Sequence, residues 1–152
     1  MLPVPPDPET EEGLHPTTRS ACFVCGHDNP HGMRIRFELL DGGVAEAVWT
    51  PSEDWEGYPG IVHGGLVSTV LDEAMSKAVA ATRNKTLTAE LRVRYRLPVM
   101  TGASYILRGW LVKRGRRLIE AEASLSSPSG VEHAHGWASF LFAPKLATAP
   151  PG

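Results

Sequence analysis

Hydrophobic and polar positions follow two different periods along this chain. After Gly64-Gly65, apolar residues fall at Leu66, Val67, Val70, Leu71, Ala74, Met75, Ala78 and Val79. At 100° per residue these occupy about 220° of arc and Ser68, Thr69, Asp72, Glu73, Ser76 and Lys77 the rest, which predicts one amphipathic helix of about 18 residues. From Leu87 the period is two. Leu87, Ala89, Leu91, Val93, Tyr95 and Leu97 share one face, and Thr88, Glu90, Arg92, Arg94 and Arg96 the other, predicting a half-covered strand that Pro98 ends. Three further strands are predicted over 103–113, 117–126 and 131–141, separated by Arg114-Gly115-Arg116 and Ser127-Pro128-Ser129-Gly130. These short, turn-like separators favour antiparallel neighbours over crossover connections. Ahead of the helix, 33–40 and 44–49 flank Asp41-Gly42-Gly43, whose glycines accept positive φ, so a β-hairpin is predicted there.

The order is two strands, one long helix and four strands, which favours an α+β fold with an antiparallel sheet over a parallel α/β fold. Such a sheet has one face covered by the helix and one still to be covered, so oligomerisation is expected on packing grounds. A chain of 152 residues is the size of one domain. The proline-rich, acidic stretch 1–20 reads as a flexible arm, 21–143 as the folded domain, and the Pro- and Ala-rich 144–152 as a loose tail.

Composition narrows the function classes. A formal net charge of -2 gives no general attraction to nucleic acid or anionic membrane, so any polyanion site must be local. No run approaches the roughly 18 apolar residues that span a bilayer, and no secretory signal pattern opens the chain, so a cytoplasmic protein is expected. Two closely spaced cysteines, Cys22 and Cys25, suit a reduced protein better than a disulfide scaffold.

Candidate chemistry gathers at the helix. Ile61-Val62-His63-Gly64-Gly65 leads into it, and a glycine-rich helix N-terminus offers unpaired N–H groups and positive dipole to a developing oxyanion, or else merely makes a tight entry turn. Asp72 lies seven residues beyond Gly65, on nearly the same side and about 10 Å further along the axis. One subunit does not comfortably supply both groups, whereas a neighbouring antiparallel helix would. Glu73 has an ordinary partner in Lys77 at i,i+4, which leaves Asp72 the freer carboxylate, although periodicity alone fits Asp72 better as part of a solvated polar face.

Val62-His63-Gly64-Gly65, then Asp72, then 87–98 together resemble the hotdog acyl-CoA thioesterases of the phenylacetate-pathway and 4-hydroxybenzoyl-CoA thioesterase superfamily. Cys22-Phe23-Val24-Cys25-Gly26 with Asn29-Pro30 and Gly32-Met33 is similar to the N-terminal segment of one branch of that family, and the likeness spans about residues 22 to 142. The resemblance implies an antiparallel sheet wrapped around one central helix and hydrolysis of an acyl-CoA thioester. It implies Asp72 as general base or nucleophile, Thr88 as an assisting hydroxyl, Gly65 as backbone donor to the thioester oxygen and His63 as the motif histidine, with sites between the subunits of a homodimer or dimer of dimers. Thioester hydrolysis needs an activated water or a carboxylate nucleophile plus stabilisation of the carbonyl oxygen, and no cofactor is expected.

Gly64, Arg114, Arg116 and Arg117 are further candidates for substrate binding, the arginines because a cationic turn in a slightly acidic protein can meet CoA phosphates. A merely exposed basic hairpin tip fits the same residues. The aromatic interleaving of a single-strand nucleic-acid binder is missing. Cys22, Cys25, His27 and His31 offer four zinc-binding side chains, but all from one short segment, whereas structural zinc sites draw ligand pairs from two separated places. No metal is therefore expected, and the cysteines are read as small buried side chains. His133 and His135 share a strand face and are given no role. A hotdog enoyl-CoA hydratase or dehydratase using His63, and a non-catalytic acyl-CoA binder, are the competing functions.

Overall fold

The computed structural model describes residues 21–83 and 86–143; the arm and tail inferred at 1–20 and 144–152 lie outside them. Strand β1 is Glu38–Leu39 and β2 Ala45–Trp49; helix α1 runs Gly64–Ala80; β3 is Thr86–Tyr95, β4 Tyr105–Arg114, β5 Leu118–Ser126 and β6 Glu132–Phe142. Among the described residues, six strands form one antiparallel sheet in the order β1-β2-β4-β5-β6-β3, curved around helix α1 in the hotdog arrangement.

Helix α1 buries Val67, Val70, Leu71, Ala74, Met75, Ala78 and Val79, the stripe its periodicity marked. They meet alternate residues of the strands: Leu107 of β4, Ile119, Ala123 and Leu125 of β5, Ala134 and Phe140 of β6. A Cβ at Gly109 would fall 2.1 Å from the Ala74 carbonyl oxygen, so β4 can lie this close to the helix only where it carries no side chain. The seat fixes the height of the helix above the sheet.

Two sequence expectations change. The first hairpin strand, expected over 33–40, is reduced to Glu38–Leu39. Met33 and Ile35 are buried as the alternation suggested, but their N–H groups donate to Phe23 O at 2.7 Å and Val24 O at 2.8 Å instead of joining the sheet. Arg34 between them takes a φ of 55°. The segment is thereby tied to the 22–25 turn rather than to β2.

Strand β3 lies at the sheet edge, and its apolar face is not half-covered: Leu87, Leu91, Tyr95 and Leu97 are exposed. Its alternation is also broken. Thr88 pairs with Phe140, but Glu90 pairs with Ser139, so a bulge leaves Ala89 as the extra residue. Strand partners share a face, and Phe140 points at the helix, so Thr88 lies on the helix side together with Leu91, Val93 and Tyr95. Strict alternation had placed it on the opposite face with Glu90 and Arg92.

Candidate active site

Asp72 projects half-buried from the middle of α1, and its Oδ1 accepts a hydrogen bond from Thr88 Oγ1 at 2.9 Å. The bulge makes this contact, because it turns Thr88 toward the helix. Burial pushes the Asp72 carboxyl above its ordinary value; the Thr88 hydroxyl works against that shift, and the charge of Glu73 adds to it. The outcome is a carboxylate of raised basicity held by a hydroxyl. Glu73 sits differently, with its Oε1 3.8 Å from Lys77 Nζ in the i,i+4 pair the spacing suggested.

At the other end of the polar face, His63 caps the helix, its backbone at φ -56° and ψ 130°. Its Nδ1 accepts from the Gly65 N–H at 3.0 Å. That bond has two consequences. The Gly65 N–H, picked from the sequence as the oxyanion donor, is already paired, whereas the Gly64 N–H, first in the helix, has no acceptor within the helix. An accepting Nδ1 also places the proton of a neutral imidazole on Nε2, leaving that N–H as a donor.

An open cleft of about 740 Å³ lies at this helix end, with His63, Gly64, Tyr58 and Tyr95 in its lining and Val62, Val67 and Val99 as apolar wall. Tyr95 was read from the sequence only as part of an apolar stripe. Its hydroxyl donates to Gly64 O at 2.8 Å and makes a short hydrogen bond with Ser68, so β3 clamps the first turn of α1. A lone tyrosine within an otherwise aliphatic stripe was the signal available, since its polar tip needs a partner.

The structure brings Asp72 together with Thr88, and His63 together with Gly64 and Gly65, but keeps the two groups apart. Asp72 and Thr88 do not line the cleft. The cationic turn belongs to neither. Arg114 Nη2 donates to Thr82 O at 3.5 Å and Arg83 Nη1 to Arg116 O at 2.6 Å, which seats the β4–β5 tip against the C-terminal end of α1. Phe142 N donates to Arg117 O, joining the tip to the end of the sheet where β3 begins, so the arginines lie on the Thr88 side of the molecule.

The cysteines were expected to be buried, but Cys22 is exposed and Cys25 half-buried. They form a turn closed by Gly26 N donating to Cys22 O at 2.9 Å, and this turn packs on the Glu73 and Lys77 side of α1. Burial, then the Glu73 carboxylate, pushes the Cys25 thiol up to about 12, so it is neutral at physiological pH. His133 Nδ1 hydrogen-bonds the O of the cleft-lining Pro98 and His135 lies between Glu122 and Glu132, but neither histidine lines the cleft itself.

The family model of the Thioesterase superfamily matches residues 59–134, half of the chain, running from the cleft loop through α1, β3, β4 and β5. The chain belongs to the thioesterase superfamily. Among curated relatives of this superfamily chain is a protein of Saccharolobus solfataricus named "Putative esterase SSO1253", 31% identical over 93 residues, which are 59% of this chain and 61% of that one. Among solved structures, the thioesterase superfamily protein RHA08564 superposes with a TM-score of 0.74 at 26% identity, covering 78% of this chain and 61% of its own. The chain thus spans about three fifths of the length of both. The protein smu.793 from Streptococcus mutans UA159, solved bound to acetyl CoA, shares the fold with a TM-score of 0.67 at 16% identity over 72% of this chain and 88% of its own. Among the described residues no helix is long and apolar enough to cross a membrane.

Proposed function

We propose that this protein hydrolyses an acyl-CoA thioester to free acid and CoA, at sites formed between two copies of the chain. The observation that carries the reading is the half-buried Asp72 carboxylate, raised in basicity and held by Thr88, on the central helix of a thioesterase-superfamily chain. Asp72 takes a proton from water as it attacks the thioester carbonyl, or attacks the carbonyl itself. The carbonyl oxygen gains charge and is stabilised by the Gly64 N–H, the positive end of α1 and the His63 Nε2–H. Gly65 serves this group by holding His63 in place through its own N–H.

Sharing the site follows from distance. From Gly64 to Asp72 is eight residues of helix, about 12 Å of rise, too far for both to act on one carbonyl carbon. The exposed edge and apolar residues of β3 offer a surface on which a second copy brings its own helix N-terminus toward Asp72. A homodimer, or a dimer of dimers, is the assembly in this reading, with Arg114, Arg116 and Arg117 meeting the CoA phosphates on the Thr88 side.

The deciding experiment is free-thiol release from a panel of aromatic, short and medium-chain acyl-CoAs by the wild type and Asp72→Asn. The variant keeps shape but loses the basic charge, and the expected loss is on the order of 10²- to 10⁴-fold in rate with substrate affinity little changed. An intact thioester that is hydrated across a double bond would point to the hydratase reading. Tight binding without turnover by the wild type would make the protein a binder.

A further inference from the structure

Outside the proposed active site, the fold brings two cysteines of the N-terminal turn against a carboxylate of the central helix. Cys22 Sγ, Cys25 Sγ and a Glu73 oxygen all lie within 4.8 Å of one another, with Cys22 Sγ 3.9 Å from Glu73 Oε1. The sequence argument against a metal was that its ligands would all come from one short segment. The fold removes that objection, since Glu73 comes from a different element, 51 residues along the chain. Neither His27 nor His31 joins the cluster.

We infer that Cys22, Cys25 and Glu73 form a binding site for a thiophilic divalent cation, zinc by its ligand chemistry, which ties the N-terminal turn to the central helix. Around a tetrahedral zinc with Zn–S near 2.3 Å and Zn–O near 2.1 Å, ligand atoms sit about 3.6–3.8 Å apart. The present spacing therefore needs to contract by roughly an ångström or less, within reach of side-chain rotation. Charge balances as well. Two thiolates and one carboxylate carry three negative charges, Lys77, 3.8 Å from Glu73, supplies one positive charge, and a divalent ion neutralises the remainder. Two thiolates select zinc over magnesium or calcium, which prefer all-oxygen cages. With three protein ligands the fourth position is left to water on the exposed Cys22 side. Binding is balanced as the exchange of two thiol protons for one metal ion, with no change of oxidation state.

The test uses the full chain, stripped by a chelator under reducing conditions and titrated with Co²⁺ as a spectroscopic probe. One equivalent should produce thiolate-to-cobalt charge-transfer absorption, which Zn²⁺ then abolishes because it binds the same site more tightly. Zinc should protect both thiols from alkylation and raise the melting temperature. Cys22→Ser with Cys25→Ser should lose the absorption and the thermal shift together. Glu73→Gln, which leaves both cysteines and the fold in place, should weaken cobalt binding about tenfold or more. Absence of stoichiometric binding by the wild type, thiols alkylated equally with and without zinc, or undiminished affinity in Glu73→Gln would each overturn the site.

Discussion

Replacing Thr88 by valine keeps the shape of the side chain and removes only the hydroxyl that donates to Asp72 Oδ1 at 2.9 Å. In the wild type this bond lowers the Asp72 pKa against the larger effect of burial, so its loss sends the pKa further up. A hydrogen bond to a charged group contributes about 1.5–3 kcal/mol, and because Thr88 is exposed in the single chain, water replaces part of it and the lower figure applies. The assay is kcat/KM for acyl-CoA hydrolysis from pH 4 to 9, with free CoA quantified chromatographically. The acid limb of the Thr88→Val profile should lie above that of the wild type, and with ~1.5 kcal/mol at stake the plateau should fall by about tenfold at most. The limb should vanish from the residual activity of Asp72→Asn. A limb that stays in place, or moves down, would refute the assignment of Thr88 as the donor that tunes Asp72.

Burial of Asp72 also predicts a stability effect. A carboxyl whose folded pKa lies above its unfolded value destabilises the fold increasingly as pH rises from about 3.8, and fully above the raised value. Asp72→Asn should therefore melt higher than the wild type at pH 7 to 8, with the gap closing below pH 4; melts at matched pH check this, and a lower melting temperature at neutral pH counts against it. Gly64→Pro removes the proposed oxyanion N–H at a position where proline is tolerated, since His63 already has the extended backbone that precedes proline; kcat should drop by about 10²-fold while the protein stays folded. If each site draws Asp72 from one chain and Gly64 from the other, equal mixing and re-association of Asp72→Asn with Gly64→Pro should recover about a quarter of wild-type activity, whereas a site within one chain recovers none. Gly109→Ala forces a Cβ against the Ala74 carbonyl and should cost about 3 kcal/mol, lowering the melting temperature by roughly 6–12 °C in a calorimetric scan.

Helix α1, the three long strands after β3 and the positions of their turns were legible because each buries one face, and burial imposes a period. The catalytic candidates were legible only through the family likeness, since a helix N-terminus and one carboxylate have bland explanations when read alone. What escaped was set by tertiary partners. Met33 and Ile35 alternate like a strand but bond to the cysteine turn; Gly65 reads like a free donor but is satisfied by the His63 ring; Tyr95 reads like core but anchors Gly64 and Ser68. Glu73 was correctly paired with Lys77, yet its approach to the cysteines crosses elements and has no local signature.

The bulge at Ala89 bears on how this hydroxyl contact is traced from one chain to another. Residues Thr88 and Glu90 have the same parity in sequence yet face opposite sides of the sheet, because the chain carries one residue more than its partner strand needs. A chain lacking a residue at position 89 would still set a hydroxyl residue in the Thr88 slot opposite Phe140, now an even number of positions before the tyrosine that clamps α1. A chain that gained a residue between Leu91 and Tyr95 would turn one of the two contacts outward without altering either side chain. Insertions and deletions, more than substitutions, therefore decide whether an edge strand of this shape keeps its hydroxyl contact to the helix carboxylate, and column-by-column comparison of relatives misassigns it wherever the bulge comes or goes.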